Sequence, residues 1–394
     1  LSGVALLHHS PYSSHVSREA EGKIAAIKVS EKAGRAIQSS RLSLLQQAMR
    51  ADRLNAFIVT HPPNIFYLTG FSGSSGIVLV KQNGAIVFTD PRYTIQAKQE
   101  ITAAQVKIVR GSLLKAVGEQ LEQRAGRRVG FEAAHLTVSR KAAFGKSTGA
   151  RVRWIPWDGK VEGLRVIKDE SELVTMREAA RIACSSWEET LPLVKPGVSE
   201  IDLAAEIEFR MRRKGADGPA FDTIIASGER GAWPHARASR KLVKKNELVV
   251  FDLGAILRGY SSDLTRTVCV GRASLEMRRW YEAVRQAQQA ARQALRPGVT
   301  AEQVDAAARG VLKLAGLERR FIHSTGHGLG LEVHESPRLG RGDQSVLRAG
   351  TVVTLEPGVY VEGKGGIRIE DDALVTNTGA EFLTHANREL IEIG

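Results

Sequence analysis

Alternating helical and strand periods define the first long stretch of the chain, residues 39–158. Apolar residues recur at helical spacing in some segments and form short β-branched runs in others. The predicted helices are Ser40–Arg53, Tyr93–Gln105 and Leu113–Arg124, and the predicted strands are Ala56–Thr60, Ile77–Val80, Ala85–Thr89, Arg128–Glu132 and Val152–Ile155. The dipeptide Asn83-Gly84 predicts a hairpin between two of these strands. Strands interleaved with helices predict an α/β layer domain.

A second pattern begins after the Pro- and Gly-containing segment Trp154–Lys160 and occupies residues 159–394. Helices are predicted at Asp169–Leu191, Ser199–Lys214, Leu275–Leu295 and Ala301–Ala315, and late strands at Thr351–Val361 and Gly366–Thr376. Pro196-Gly197-Val198-Ser199 and Pro297-Gly298-Val299-Thr300 are near-repeats, and each joins a long helix to a second helix. The same order of elements therefore occurs twice, which predicts an α+β domain with pseudo-twofold halves.

Residues 1–38 fit neither pattern. They are rich in Ser, His and Lys, and their apolar patch Val4–Leu7 is short for a secretory signal. We expect a poorly ordered leader there, followed by the domains at 39–158 and 159–394.

Composition narrows the class of protein. No apolar stretch approaches the roughly 18–20 residues of a membrane span. The net charge of +13 is dispersed rather than clustered with aromatic residues, so we expect solvated surfaces and no nucleic-acid site. The two cysteines, Cys184 and Cys269, are too few for a disulfide framework, which favours a reducing, cytoplasmic compartment.

Four carboxylates in the second domain form two symmetric pairs. Asp252 and Asp263 are equidistant from position 257.5, and Glu356 and Glu370 are equidistant from position 363. Residues equidistant from the turn of a hairpin face each other, so each pair is predicted to project to one side. Because like charges in a half-buried sheet are costly unless neutralised, the pairs point to two divalent cations.

Histidines complete the candidate site. His327 lies in a glycine-flanked run between the two acidic pairs, and a set of four carboxylates with one imidazole suits Mn²⁺, Co²⁺ or Zn²⁺ in a hydrolytic role. His323 and His334 flank His327, and His235 lies farther upstream. On a helix His323, His327 and His334 would share a face, but the surrounding glycines favour an extended or looped backbone. Such imidazoles can orient a carbonyl and stabilise an oxyanion.

These residues fall in motifs that resemble those of the pita-bread metallopeptidases, in the branch of the Xaa-Pro aminopeptidases and prolidases. The motifs are Tyr67-Leu68-Thr69-Gly70-Phe71, Phe251-Asp252-Leu253-Gly254 with Ser262-Asp263-Leu264-Thr265-Arg266-Thr267, the run from Ser324 to Glu335, Leu355-Glu356-Pro357-Gly358-Val359-Tyr360, and Gly366-Ile367-Arg368-Ile369-Glu370-Asp371. The resemblance covers about residues 40–390. It implies a pita-bread catalytic domain preceded by a creatinase-like N-terminal domain.

The resemblance also implies a role for each candidate residue. Asp252 would bind one metal ion, Asp263 and Glu370 would bridge two ions, and His327 and Glu356 would bind the other, most favourably Mn²⁺. A hydroxide held between the ions would attack the scissile carbonyl. The remaining roles are proton shuttling by Glu356, carbonyl contact by His334, substrate positioning by His235 and His323, and support of the ligands by Arg368 and Tyr360.

Three functions remain open at this point. The complete ligand set, the accessory histidines and the large N-terminal domain favour an aminopeptidase that releases the first residue of Xaa-Pro peptides, and the resemblance implies a homodimer that acts on short peptides. The alternative is a prolidase restricted to Xaa-Pro dipeptides, which needs a cation for the free carboxylate, and Arg240 or Arg341 is a candidate. A non-catalytic binding protein is disfavoured because all five metal ligands are present. Creatine hydrolysis is disfavoured for the same reason, since creatinases lack those ligands.

Overall fold

The structure, a computed structural model, describes residues 34–122, 127–148 and 152–394, in two compact units that divide between Val161 and Glu162. The predicted leader lies outside the described residues up to position 33. Residues 34–38 belong to the first helix, α1, which spans 34–51. None of the helices in the described ranges is long and apolar enough to cross a membrane.

The first unit is built on one mixed six-stranded sheet in the order β4-β3-β2-β1-β5-β6. Its strands are β1 Ala56–Val59, β2 Gly76–Lys81, β3 Gly84–Thr89, β4 Gln105–Ile108, β5 Arg127–Phe131 and β6 Val152–Pro156, and its further helices are α2 Pro62–Thr69, α3 Thr94–Glu100, α4 Leu113–Glu122 and α5 Val138–Thr148. β2 and β3 pair antiparallel with Lys81 opposite Gly84, which confirms the predicted hairpin but places its turn at Gln82-Asn83, one residue earlier than expected. The strands interleaved with helices confirm the α/β layer.

Two helices and one strand of this unit escaped prediction. Helix α2 begins with Pro62 and Pro63, which read as breakers in the sequence but are tolerated in a first helical turn, where the backbone N–H groups need no helical partner. Helix α5 buries only Phe144 and Thr148, so its apolar period is weak. The helix predicted to reach residue 105 ends at Glu100, and strand β4 follows.

The second unit contains two helix-covered cores. Its helices are α6 Lys160–Arg165, which begins at the end of the first unit, α7 Glu170–Thr190, α8 Glu200–Arg213, α9 Leu275–Ala294 and α10 Ala301–Leu314, and its early strands are β7 Gly218–Pro219, β8 Ile224–Ser227, β9 Glu247–Leu253, β10 Ala255–Leu257, β11 Tyr260–Ser261 and β12 Leu264–Val270. The later strands are β13 Gly326–Gly328, β14 Glu335–Leu339, β15 Val352–Leu355, β16 Gly358–Val361, β17 Gly365–Arg368, β18 Asp371–Val375, β19 Ala380–Phe382 and β20 Ile391–Ile393. One core packs α7 and α8 against β9 and β12, and the other packs α9 and α10 against β15 and β18.

The two Pro-Gly-Val-Ser/Thr segments have matching geometry. Ser199 and Thr300 cap helices α8 and α10, each accepting a hydrogen bond from the backbone N–H three residues later. The glycine two residues before each cap has a positive φ, 90° and 88°, and each cap bridges to a later extended segment. These equivalences support the predicted duplication within an α+β domain.

The strands predicted at 351–361 and 366–376 are each interrupted. The first divides into β15 and β16 around Glu356-Pro357, and the second divides into β17 and β18 around Ile369-Glu370. β15 pairs with β18 and β16 pairs with β17, so two sheets meet at the interruptions. Both interruptions coincide with candidate metal ligands.

Candidate metal centre

A cavity of about 520 Å³ lies in the second unit. All nine candidate residues from the sequence line it: Asp252, Asp263, His327, Glu356, Glu370, His235, His323, His334 and Arg368. Its apolar wall includes Phe221, Ile224 and Val333. The fold therefore brings together, in one half-polar cavity, side chains that are more than 100 residues apart in the chain.

The first acidic pair does not face directly as predicted. Asp252 is opposite Thr265 in the β9–β12 ladder, because the turn is centred on Arg258-Gly259, one residue later than expected. Both turn residues have positive φ, 48° and 82°, as in the two-residue turns that fit the twist of a hairpin. Asp263 lies two positions from Thr265, so it shares a face with Asp252 as a diagonal neighbour.

The second acidic pair follows the predicted symmetry. Leu355 is opposite Asp371 in one ladder, and Gly358 is opposite Arg368 in the other. Both pairings are symmetric about position 363, so Glu356 and Glu370 occupy equivalent places in the gap between the two ladders. Freed from pairing there, both side chains reach the cavity.

Two glycines allow His327 to enter the sheet. A Cβ atom at Gly326 would lie 1.9 Å from the Thr354 carbonyl oxygen, and one at Gly328 would lie 2.3 Å from the Ser336 carbonyl oxygen. Strand β13 can therefore lie between β14 and β15 only with glycine on both sides of the histidine. This confirms that the backbone of the motif is extended, and it is not helical at His327.

The imidazole of His327 is oriented for ligation. Its Nδ1 is 3.0 Å from the Gly328 carbonyl oxygen, which fixes the proton on Nδ1 and leaves the lone pair on Nε2. Nε2 is 3.5 Å from Glu356 Oε1 and 4.0 Å from Asp263 Oδ2. Burial, with a smaller contribution from His334, lowers the pKa of His327 to about 4. The ring is thus neutral at pH 7, as a metal ligand must be.

The donor set fits a divalent cation. Ligand atoms of Asp263, His327 and Glu370 lie within 4.8 Å of one another, and all three residues are buried. Asp252 Oδ1 and Asp263 Oδ1 are buried and have no hydrogen-bond partner, although buried polar atoms almost always have one. A cation bound between these oxygens would satisfy them.

The electrostatics of the carboxylates support the same conclusion. Burial raises the pKa of Asp263 well above its usual value, and the nearby Glu370 and Asp252 raise it further. Burial and then Glu356 also raise the pKa of Glu370. Burial raises the pKa of Glu356 to about 8, although Arg368 opposes the shift. The charged forms of these carboxylates are unfavourable in the metal-free cavity, and bound cations would neutralise them.

Arg368 contacts the candidate ligand Asp252 and the groups around it. It is 3% exposed, and its guanidinium donates to Asp252 Oδ2 at 2.5 Å, to Thr265 Oγ1 at 3.1 Å and to Tyr360 OH at 2.8 Å. Burial lowers the pKa of Arg368, but the nearby Tyr360, Asp252, Glu370 and Glu356 outweigh it and raise the pKa above its ordinary value. The guanidinium therefore stays charged and orients Asp252.

The accessory histidines lie around the cavity. His323 Nε2 is 2.8 Å from Tyr360 OH, and its Nδ1 is 2.8 Å from the Ser324 carbonyl oxygen. Burial lowers the pKa of His323 to about 4, and burial also lowers the pKa of His334. His334 lies beside His327, with ring centroids 4.3 Å apart, and His235 also lines the cavity.

Sequence reasoning missed three residues that shape the centre. Thr265 donates to Glu370 Oε2 at 2.5 Å, Asp372 Oδ2 accepts from the Asp263 backbone N–H at 2.9 Å, and Thr354 Oγ1 accepts from the His327 backbone N–H at 3.2 Å. Thr265 follows Asp263 at the alternate position, and Asp372 follows Glu370 in the same way. A period-2 comparison along each strand would have found both.

Neither arginine nominated for the substrate carboxylate lines the cavity. Arg240 is absent from its wall, and Arg341 lies outside it, 2.9 Å from Glu318. Arg237 and Arg338 line it instead. Arg237 already pairs with Asp222 at 3.3 Å, whereas Arg338 forms no ion pair with any described carboxylate. The sequence could not make this choice because it depends on how the loops fold around the cavity.

Burial of Glu356 predicts that metal-free protein loses stability as the pH rises from 7 to 9. The folded-state pKa of about 8 exceeds the ordinary value of 4.5, so the folded protein holds a proton that the unfolded chain has released. The free energy of unfolding therefore falls by up to about 1.4 kcal/mol per pH unit as the pH rises toward 8, and this contribution is lost once the pH has passed 8. Asp263 and Glu370 shift in the same direction.

Thermal unfolding in excess chelator at pH 7, 8 and 9 measures this effect. This pH window lies above the lowered pKa values of His323 and His327, both about 4, so these two rings do not titrate within it. Glu356→Gln should flatten the dependence, since an amide does not titrate. A Tm in chelator that rises with pH would contradict the assignment of a buried protonated carboxyl.

Two family models match the chain. Metallopeptidase family M24 matches residues 174–377, and the creatinase/prolidase N-terminal domain matches residues 41–167. The Xaa-Pro dipeptidase of Pyrococcus furiosus is 36% identical over 352 residues, which is 89% of this chain and 99% of that protein.

Solved structures agree with the family models. The structure of an Xaa-Pro dipeptidase from Bacillus anthracis has a TM-score of 0.87 at 37% identity and covers 90% of this chain and 100% of its own. That of an X-Pro aminopeptidase from Thermotoga maritima has a TM-score of 0.81 at 35% identity and covers 87% of this chain and 100% of its own. With its pita-bread catalytic domain and creatinase-like N-terminal domain, the chain is a member of metallopeptidase family M24.

Proposed function

We propose that this metallopeptidase is an Xaa-Pro dipeptidase that hydrolyses the bond before proline in dipeptides. The sequence favours an aminopeptidase over this reading. Arg338 supports the dipeptidase instead, because it lines the cavity and forms no ion pair with a carboxylate of the described residues, and a free proline carboxylate needs such a cation. The names of the relatives support the same choice, although an X-Pro aminopeptidase is among the similar structures.

We propose that the ligands Asp252, Asp263, His327, Glu356 and Glu370 hold two divalent ions, with Mn²⁺ preferred over Co²⁺ or Zn²⁺. Oxygen-rich ligation with one imidazole is the basis of that preference. When bound, the ions supply Lewis acidity, lowering the pKa of a water molecule and polarising the scissile carbonyl.

The protein groups around the ligands have complementary tasks. Once bound ions keep it ionised, the Glu356 carboxylate on the cavity wall can take a proton from the attacking water and return it to the proline nitrogen. His334 donates to the carbonyl oxygen, and His235 and His323 hold the substrate. Tyr360 OH joins His323 to Arg368, so the substrate contact and the support of Asp252 belong to one hydrogen-bonded chain.

Compartment and assembly are part of the proposal. Cys184 and Cys269 are both free and buried, and burial raises the pKa of each thiol to about 11, in keeping with a reducing cytoplasm. From the family resemblance we propose a homodimer that acts on short proline-containing peptides.

The test is a comparison of Ala-Pro with Ala-Pro-Ala on protein loaded with Mn²⁺, Co²⁺ or Zn²⁺. A dipeptidase cleaves Ala-Pro with the higher kcat/KM. A higher kcat/KM for Ala-Pro-Ala would favour the aminopeptidase, and no turnover of either peptide with any metal would exclude both readings.

Arg338→Gln is expected to raise KM for Ala-Pro about 10- to 100-fold with a smaller change in kcat. This range corresponds to the loss of one charge-assisted hydrogen bond to the carboxylate, worth about 1.5–3 kcal/mol. The amidated substrate Ala-Pro-NH₂ lacks that carboxylate, so the variant should process it about as well as wild type. Arg240→Gln is the matched control, since Arg240 is exposed and outside the cavity wall. Equal KM values for Arg338→Gln and Arg240→Gln would remove Arg338 from substrate binding.

A further inference from the structure

A second cavity, of about 570 Å³, adjoins the metal-site cavity. The two share His323, Ser324 and Arg338 in their walls. We call the second cavity the arginine groove, because Arg309, Arg319, Arg338 and Arg341 line it. It opens from the side of the catalytic cavity that holds Arg338.

The charge of the arginine groove is positive and partly uncompensated. The guanidinium of Arg309 already has partners: its Nε donates to Asp305 Oδ2 at 2.6 Å, and its other two nitrogens donate to backbone carbonyl oxygens. Arg341 pairs with Glu318 but keeps 67% of its side chain exposed. Arg319 is exposed, and like Arg338 it forms no ion pair with a carboxylate in the described ranges. Glu318 is the one acidic residue in the groove wall.

The position of the groove suggests what occupies it. In the proposed function, on which this inference rests, Arg338 contacts the carboxylate that follows proline. A peptide one residue longer continues from that point, advancing about 3.3–3.6 Å per residue, past Arg338 and toward Arg319 and Arg341. A third residue whose side chain carries a carboxylate would meet the exposed guanidinium groups of Arg319 and Arg341 there, whereas a lysine side chain would meet like charge.

We propose that the arginine groove is an anion-binding subsite for the residue after proline, so that the enzyme also cleaves Xaa-Pro-Asp and Xaa-Pro-Glu tripeptides. The bond broken is the same Xaa–Pro amide. Water supplies a hydroxyl to the Xaa carbonyl and a proton to the proline nitrogen, which gives Xaa and Pro-Glu. Tripeptides with Lys or Arg at the third position are poor substrates.

The experiment compares kcat/KM for Ala-Pro-Glu, Ala-Pro-Gln and Ala-Pro-Lys on metal-loaded protein, with Ala-Pro as the reference. We expect the Glu peptide to exceed the Lys peptide by about tenfold at low salt, the size of two or three partly exposed charge interactions. The ratio should fall as ionic strength rises, because salt screens exposed charges. The double variant Arg319→Gln/Arg341→Gln should bring the ratio below about 3.

A matched control is Arg320→Gln, which removes an exposed charge next to the groove but outside its wall and should keep the wild-type ratio. Equal rates on the Glu and Lys peptides, or a ratio that the double variant leaves unchanged, would overturn the subsite. Failure of the proposed function is a different result: Ala-Pro would be cleaved with a lower kcat/KM than Ala-Pro-Ala, or not at all. Cleavage of Ala-Pro without charge preference at the third residue would overturn only the subsite.

Discussion

Asp263→Ala is expected to lower kcat/KM on Ala-Pro by about a thousandfold or more. The Asp263 carboxylate belongs to a buried group with His327 and Glu370, whose ligand atoms lie within 4.8 Å of one another, and the substitution removes one of these three ligand atoms. Metal activation of water then fails, because it depends on an intact ligand set. Metal analysis should give about two ions per chain for wild-type protein and fewer for the variant.

The variant Asp263→Asn keeps the volume of the side chain, so it distinguishes misfolding from a loss of catalysis. Burial and neighbouring carboxylates penalise the charge at this position. The Asn variant in chelator at pH 8 should therefore be at least as stable as wild type, while remaining inactive. Asp202→Asn, at an exposed position on helix α8, is the control for a lost aspartate. Near-normal rates with full metal content in either Asp263 variant would contradict its role as a ligand.

Arg368→Met is expected to impair both metal binding and metal-free stability. Without the guanidinium, Asp252 loses its ion-pair partner in a buried site, at a cost of about 3–5 kcal/mol when the carboxylate is charged. Thr265 and Tyr360 lose a partner as well. Loss of support for one ligand should weaken metal affinity about 10- to 100-fold, with a similar fall in kcat/KM at limiting metal.

Isothermal titration with Mn²⁺ and denaturant unfolding in chelator at pH 8 measure the two effects. Arg368→Lys should restore part of the stability but little of the affinity, because an ammonium cannot reproduce the fork that reaches Asp252, Thr265 and Tyr360 together. Arg177→Met breaks a half-exposed ion pair with Glu381 away from the cavity and is the control for a lost arginine. If Arg368→Met bound Mn²⁺ with wild-type affinity, Arg368 would have no part in the centre.

Much of the fold could be predicted from local patterns in the sequence. The long helices of the second domain begin and end within a few residues of their predicted bounds, because each has a strong apolar period and a side-chain cap such as Asp169 or Thr300. Elements whose signal is weak or misleading were missed. The Pro-Pro start of α2 and the thinly buried helix α5 needed the surrounding sheet to identify them.

The candidate site shows the same division. Its nine residues could be named from motif spacing and resemblance, and all nine line one cavity. The register of the first acidic pair could not be predicted, because it depends on the left-handed φ of Arg258, a conformation that residue type alone does not indicate. A slip of one position turned a facing pair into a diagonal one, with Thr265 opposite Asp252.

Residue identity and spacing were enough to name the carboxylates and imidazoles of the candidate site, their order, and the glycines beside His327. Side-chain identity and local periodicity are local properties of the sequence, so these features can be recognised without knowledge of distant contacts. The tertiary structure alone decided which oxygens are left without partners in the cavity, that Arg338 rather than Arg240 or Arg341 lines it, and that an arginine groove adjoins it. Those outcomes depend on long-range packing and burial, which set the electrostatics of each group.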